Sequence, residues 1–216
     1  MTSTIAIIDY GMGNLRSVAK ALEHVAPPAT RVVVTADPET VLKADRVVFP
    51  GQGAAGDCMN ALHAAGLTEA IRDSSANKPF LGVCVGMQVL VEHSDESGGT
   101  PCIGVFPGNV RYFGDEIGEL RPGLRYKIPH MGWNTIHQKR EHPLWRGVEQ
   151  DSYFYFVHSY YVVPANPELV AGVTDYGIRF TSVISQDNIF AMQCHPEKSA
   201  DGGLKLLENF TRWDGR

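Results

Sequence analysis

Within its first fifty residues the chain alternates short β-branched runs with an apolar helical period, a pattern that few architectures accept. Residues 5–9, 31–35 and 46–49 read as strands, and between the first two Leu15, Val18, Ala19 and Leu22 fall on one helical face. Strand, helix and strand in that order imply βαβ crossovers and a parallel sheet. A further helical stretch is expected over 56–74, then a buried strand over 79–83 that runs up to Cys84, with a new helix starting within 86–92. Residues 94–126 turn to Gly, Pro and charge, which predicts a long surface excursion along one sheet edge rather than a linker. Residues 153–158 and 160–163, and a hairpin of 181–185 with 189–193 through Asp187 and Asn188, read as antiparallel strands. Leu204, Leu207 and Phe210 place a last helix over 203–213. The expectation is one α/β domain over 1–216, its sheet parallel in the first half and antiparallel in the second.

Charge and cysteine usage narrow the function. A net charge of -5 without any Lys/Arg-rich block argues against nucleic acid and anionic membranes as partners. No apolar run nears the ~20 residues that span a bilayer, and Met1, Thr2 and Ser3 lead directly into a strand without a basic leader, so a cytoplasmic protein is expected. The four cysteines, Cys58, Cys84, Cys102 and Cys194, form no CxxC pair and are too sparse for a disulfide framework, which predicts reduced thiols. No metal site is expected, because Cys194 and His195 are adjacent and no second close ligand pair accompanies them. His130, His137, His142 and His158 are scattered and read as surface or packing residues, and Cys58 and Cys102 carry no evident chemistry.

Gly82, Cys84 and Gly86 have the small-x-nucleophile-x-small spacing of a nucleophile elbow, where a strand turns sharply into a helix. Such a turn holds the Cys84 thiol outward at a helix N-terminus, where the dipole and free N–H groups favour a thiolate and the Val85 N–H can help hold an oxyanion. His195 and Glu197 end an apolar strand. Two residues apart in extended chain, they face one side, with Pro196 stiffening the turn, so Glu197 can orient an imidazole that exchanges a proton with the thiol. Gly51, Gln52 and Gly53 lie at the end of another predicted parallel strand, where open α/β sheets place ligands and a glycine-rich backbone can aim an N–H at an oxyanion. The segment from Asp9 to Asn14 resembles a dinucleotide loop but has Arg16 where the third glycine belongs, so it reads as a turn.

The stretches Gly82-Val-Cys-Val-Gly-Met-Gln88 and Gln193-Cys-His-Pro-Glu-Lys-Ser199 resemble the two signatures of the triad glutamine amidotransferases. Asp9-Tyr-Gly-Met-Gly-Asn-Leu-Arg-Ser17, Lys127-Ile-Pro-His-Met-Gly-Trp-Asn134 and Tyr155-Phe-Val-His-Ser-Tyr160 are similar to the glutaminase subunits of imidazole glycerol phosphate synthase, and the resemblance runs over essentially the whole chain. It implies a single α/β domain with a mixed sheet, with no cofactor. Cys84 would form a glutamyl thioester from L-glutamine, His195 act as acid and base, and Glu197 orient it. Gly53 and Gln88 would line the glutamine pocket, and His158, Ser159 and Tyr160 would hold its α-amino and α-carboxylate end. Val85 and Gln52 stand where this family usually has Leu and Val, and both positions are expected to act through backbone amides. The implied partner is a (β/α)8 barrel cyclase that uses the ammonia to make imidazole glycerol phosphate and AICAR, with Asn14, Trp133, Tyr155 and Lys198 near its mouth. The 129–133 segment reads as a loop, suited to docking or to local core packing. Three other readings stay open: a glutaminase of the same class serving another synthase, a catalytically silent docking subunit, and a stand-alone thiol hydrolase.

Overall fold

The computed structural model describes residues 3–216; Met1 and Thr2, on which the reading of the leader partly rests, lie outside them. Strand β1 (Ser3–Ile8) leads to helix α1 (Leu15–Val25), followed by β2 (Thr30–Thr35), α2 (Pro38–Lys43) and β3 (Arg46–Gly51). Helices α3 (Ala55–Ala64) and α4 (Thr68–Asn77) precede β4 (Phe80–Cys84), which passes directly into one helical turn, α5 (Val85–Gln88). Then come β5 (Val91–Ser94), β6 (Thr100–Pro101), β7 (Phe106–Tyr112), β8 (Glu119–Arg121), β9 (Leu124–Arg125), β10 (His130–Thr135) and β11 (His137–Gln138). The chain ends with β12 (Tyr153–His158), β13 (Tyr160–Pro164), β14 (Val170–Tyr176), β15 (Ile178–Gln186), β16 (Ile189–Met192) and helix α6 (Ala200–Arg212).

The main sheet runs β2-β1-β3-β4-β16-β15-β13-β7-β5-β6, with β14 also on β15 and β11 on β14. From β2 to β16 every pairing is parallel, while β16 with β15, β15 with β13 and β13 with β7 are antiparallel. This is the mixed sheet expected from the sequence. Strand β16 returns from the antiparallel half to lie beside β4, so the chain just before His195 ends next to the strand that ends at Cys84. Phe49 and Phe80 are fully buried and meet edge to face at 6.2 Å, each side chain worth roughly 1.5–3 kcal/mol in transfer from water. Helix α1 buries Val18, Ala21 and Leu22 and packs beside α6. No helix among the described residues is long and apolar enough to cross a membrane.

Four expectations are corrected. The helix expected over 56–74 is two helices, because Gly66 adopts φ 67° and the fully buried Leu67 turns the chain back. The helix expected within 86–92 stops at Gln88 and a strand follows; Val89, Leu90 and Val91 are all fully buried, so no face is left polar to reveal a period. The excursion over 94–126 contains β7, an internal strand between β13 and β5 that buries Phe106 and Val110, while residues 97–99 and the small β8–β9 hairpin stay exposed. Residues 129–133 are no loop: His130 opens β10, which pairs with β12 as a separate two-stranded ribbon.

Candidate active site

Cys84 closes β4 with φ 55° and ψ -115°, a backbone conformation that costs a non-glycine residue of order 1–3 kcal/mol. The neighbouring glycines make it possible. A Cβ on Gly86 would lie 2.0 Å from the Phe49 carbonyl oxygen, and one on Gly51 would lie 2.7 Å from both the Gly86 nitrogen and the Val85 Cβ. Gly51 is also the register partner of Cys84, so β3 lies against the elbow backbone to backbone. Tyr10 fixes that approach by donating its hydroxyl to the Pro50 carbonyl at 3.1 Å. The following helix is only one turn, so the macrodipole expected behind the thiol is small and local N–H groups are what the elbow offers.

His195 and Glu197 come together by a different route from the extended chain expected. Strand β16 ends at Met192, and residues 196–198 form a single 3-10 turn that starts at Pro196. His195 Nδ1 is 2.9 Å from Glu197 Oε1, with the side chains only 4% and 2% exposed. Two backbone contacts hold the turn: Ser199 donates its hydroxyl to the His195 carbonyl at 2.6 Å, and the His195 N–H donates to the Tyr155 carbonyl. His195 Nε2 and Glu197 Oε2 are buried without a hydrogen-bond partner of ordinary geometry. Burial alone pushes the His195 pKa down. Contact with Cys84 and Glu197 and the charge of both outweigh it and push it up to about 10. An imidazolium at neutral pH therefore lies between the Glu197 carboxyl group and the Cys84 sulfur, with Nε2 placed to exchange a proton.

One cavity of about 400 Å³ opens onto this pair, lined by Cys84, Val85 and His195. Gln52, Gly53 and Gln88 line it too, as do His158, Ser159 and Tyr160. Gly51 is beside it in the elbow. The Gln88 side-chain amide donates to the Tyr160 carbonyl at 3.1 Å and to Gln193 Oε1 at 3.0 Å, and Gln193 Nε2 reaches Cys84 Sγ at 3.7 Å. Sequence reasoning missed Gln193 and Glu96. Gln193 lies two residues before His195, so the alternation that paired His195 with Glu197 could have found it. Glu96 lines the cavity and accepts from the Ala55 N–H at 2.7 Å, but sits in the Gly-rich stretch that reads as surface. His130 and His158, read as packing or surface, are buried and joined at 2.9 Å.

Trp133, Tyr155 and Lys198 form an outer cluster. Trp133 pairs in register with Tyr155, their rings meet edge to face at 6.1 Å, and Lys198 Nζ lies 5.9 Å from the Tyr155 ring centre, within cation–π range. Trp133 is 52% exposed and Met131 62%. Asn14 starts α1 and is joined to that cluster by no described hydrogen bond or ring contact. Among the described residues no group of three or more His, Cys, Asp or Glu is placed to hold a metal ion.

Residues 6–213 match the model of the glutamine amidotransferase class-I family. The chain is 60% identical over 210 residues to the imidazole glycerol phosphate synthase subunit HisH of Dechloromonas aromatica, covering 97% of this chain and 96% of that one. It is 56% identical over 214 residues to the HisH subunit of Thiobacillus denitrificans, covering 99% and 93%. In fold it is similar to PurLQS from Thermotoga maritima, with a TM-score of 0.72 at 15% identity over 98% of this chain and 99% of that one. It is similar also to the glutaminase domain of CTPS from Trypanosoma brucei, with a TM-score of 0.67 at 18% identity over 99% and 95%. The chain therefore belongs to the class-I glutamine amidotransferase family, among its imidazole glycerol phosphate synthase HisH subunits.

Proposed function

We propose that this chain, acting as one domain over 1–216, is the glutaminase subunit of imidazole glycerol phosphate synthase and hydrolyses L-glutamine with Cys84, His195 and Glu197. The observation that carries this reading is the buried His195–Glu197 pair, 2.9 Å apart, beside a strained elbow cysteine in a single cavity. Cys84 Sγ attacks the side-chain amide carbon of glutamine, and the carbonyl electrons move onto the oxygen, held by the Val85 N–H and by backbone N–H groups of Gly51, Gln52 and Gly53. His195 Nε2 gives a proton to the leaving nitrogen as the carbon–nitrogen bond breaks, which yields ammonia and a glutamyl thioester. The imidazole then takes a proton from water, the hydroxyl attacks the thioester, and glutamate leaves as the proton returns to sulfur. Glu197 keeps Nδ1 protonated and the ring oriented throughout.

Gln88 and the backbone of Ser159 and Tyr160 suit the α end of the substrate, with His158 behind them, and Glu96 supplies a carboxylate for its ammonium group. The partner is a (β/α)8 barrel cyclase that consumes the ammonia to form imidazole glycerol phosphate and AICAR. Ammonia released to water is lost by protonation and diffusion, which favours tight docking and an enclosed path. The exposed Trp133, edge to face with Tyr155 whose ring carries Lys198, is the anchor proposed for that docking, with Asn14 a further proposed contact. The site works without a cofactor and in the cytoplasm.

The test is release of glutamate from glutamine by the purified chain, alone and with the cyclase subunit and its nucleotide ligand, with Cys84→Ala as blank. A low rate that rises steeply with liganded partner and vanishes in the variant is expected. A rate indifferent to the partner would leave a stand-alone hydrolase, and no rate in any condition would leave a silent docking subunit.

A further inference from the structure

Strand β10 alternates two chemistries. Met131 and Trp133 point outward and are exposed, whereas His130 is 3% exposed and lies directly opposite His158 in the β10–β12 register. His158 Nδ1 is 2.8 Å from the Tyr160 carbonyl oxygen, which can only accept, so Nδ1 carries the hydrogen. Burial pushes the His158 pKa down to about 3 and the His130 pKa down to about 4, so both rings are neutral. His158 Nε2 is then a bare acceptor, and His130 Nδ1, 2.9 Å away, must donate to it. His130 Nε2 in turn must accept, and the Asn134 amide nitrogen supplies the donor at 3.2 Å. The amide is oriented without ambiguity, because Asn134 Nδ2 also donates to the Asp175 carbonyl at 3.0 Å and Oδ1 accepts the Thr135 N–H at 2.8 Å. Every hydrogen in the chain therefore points from the ribbon toward the cavity. The His130 ring cannot rotate out of this line, since it is stacked on Tyr176 at 4.0 Å and on Phe156 at 4.9 Å.

The chain of bonds ends on the Tyr160 carbonyl, which also accepts from Gln88 Nε2 at 3.1 Å. We propose that His130 is a positioning residue for the glutamine pocket: acting through His158, it fixes the Tyr160 carbonyl against which Gln88 is set, and so ties the exposed β10–β12 ribbon to the pocket. The inference rests on the glutaminase reading above. Because Tyr160 and Gln88 suit the α end of the substrate, away from the amide that reacts, loss of this order weakens binding more than chemistry.

Glutamine KM and kcat of the complex with the cyclase subunit are measured for wild type, His130→Phe and His130→Asn. Phenylalanine keeps the stacked ring but leaves His158 Nε2 buried without a donor, while asparagine keeps an N–H near the Nδ1 position. A KM about tenfold higher is expected for His130→Phe, matching about 1.4 kcal/mol of lost binding, with kcat reduced less than about threefold, and a KM within about threefold of wild type for His130→Asn. A native KM in a folded His130→Phe, or an asparagine variant as impaired as the phenylalanine one, would show that the pair only packs. Should His130→Phe not fold, Asn134→Ala breaks the same chain one link earlier, and a native KM there overturns the proposal. Imidazole ¹⁵N spectra of the wild-type protein at neutral pH read the geometry directly: both rings are expected as the neutral Nδ1–H tautomer, and an Nε2–H tautomer in either would overturn it. A wild-type complex that releases no glutamate would sink the glutaminase reading, and this proposal with it, whereas native KM values in active variants sink the positioning role alone.

Discussion

Gly202 and Gly203 are neighbours in the first turn of α6, yet alanine at the two positions is expected to act with opposite sign. A Cβ on Gly202 meets nothing closer than Phe154 Cζ at 4.0 Å, so Gly202→Ala gains helix propensity without a clash. A Cβ on Gly203 would lie 2.0 Å from the Pro196 carbonyl oxygen, 2.8 Å from Ser199 Cβ and 2.9 Å from the Pro196 carbonyl carbon. Two of those atoms belong to backbone and none can move by changing rotamer. The turn carrying His195 and Glu197 must therefore shift by about 1 Å, a misplacement that can cost on the order of 10²-fold in rate when it reaches reacting groups. A 2.0 Å contact with backbone lies at the upper end of overpacking, about 3 kcal/mol; set against a helix gain of up to about 1 kcal/mol, Gly203→Ala should lose about 2 kcal/mol. For a chain of this length that lowers Tm by roughly 4–8 °C, while Gly202→Ala raises it by roughly 1–4 °C. Thermal unfolding by circular dichroism reads the stability and glutamate release reads the site. If Gly203→Ala matched Gly202→Ala in Tm, or unfolded earlier but kept native turnover, the claim that α6 sets the position of the His195 turn through Gly203 would be wrong.

Glu197→Gln removes one of the two partners that raise the His195 pKa, so the imidazole should titrate below about 10, and turnover should fall on the order of 10²–10⁴-fold; His ¹⁵N titration and kcat/KM against pH follow both. The same raised pKa gives a signed stability effect: the interaction is fully present below the ordinary value of 6.5 and is lost as pH rises through about 10, so urea unfolding of wild type should weaken over that window more than in Glu197→Gln. Trp133→Ala should weaken binding to the cyclase subunit by about 2 kcal/mol, or roughly 30-fold in Kd by calorimetry, and native affinity would remove the ribbon from the interface. Asn188→Ala strips the donor from the Ser75 and Lys78 carbonyls, now held at 2.7 and 2.6 Å, and should cost about 1–3 kcal/mol in urea unfolding.

What the sequence made legible, and what it hid, divides by how each signal is encoded. The parallel half was readable because β1, β2 and β3 are β-branched runs separated by a helix with one apolar face, and periodicity speaks directly to that arrangement. Cys84 was readable because the elbow needs glycine within two residues on either side, a steric demand that leaves letters behind. The excursion over 94–126 misled because the alternation of β7 is carried by Phe106, Gly108 and Val110 among Pro107, Asn109 and Arg111, so one buried position has no side chain to announce it. Strand β14 went unread for a similar reason: Ala171 and Gly172 are buried where larger residues would have marked the strand. Polar cavity residues are harder still, because their burial follows from pairing rather than composition. Glu96 looks like any acidic loop residue until the Ala55 N–H and the cavity are seen beside it, and His130 looks like a loop histidine until β10 is paired with β12.

The two halves of the site also differ in how they are held, and that bears on where signals from a partner can enter. The elbow is fixed by backbone contact on both sides, with Gly51, Gly86 and the Phe49 carbonyl leaving no room for adjustment. The wall formed by His158, Ser159 and Tyr160 is held by backbone pairing to β10 and β7 and, in addition, by side-chain hydrogen bonds that run out to β10, whose other face presents Met131 and Trp133 to solvent. The close backbone contacts of the elbow have no rotamer to give, whereas a side-chain hydrogen bond can lengthen as the ribbon shifts, and breaking one in this buried line costs about 1–3 kcal/mol, the size of a typical coupling between sites. A protein that covers Trp133 is therefore expected to act first on the substrate-holding wall and only through it on the cysteine. Glutamine affinity is the quantity to compare between the free and the docked chain, and a partner that altered kcat while leaving glutamine binding untouched would contradict this ordering.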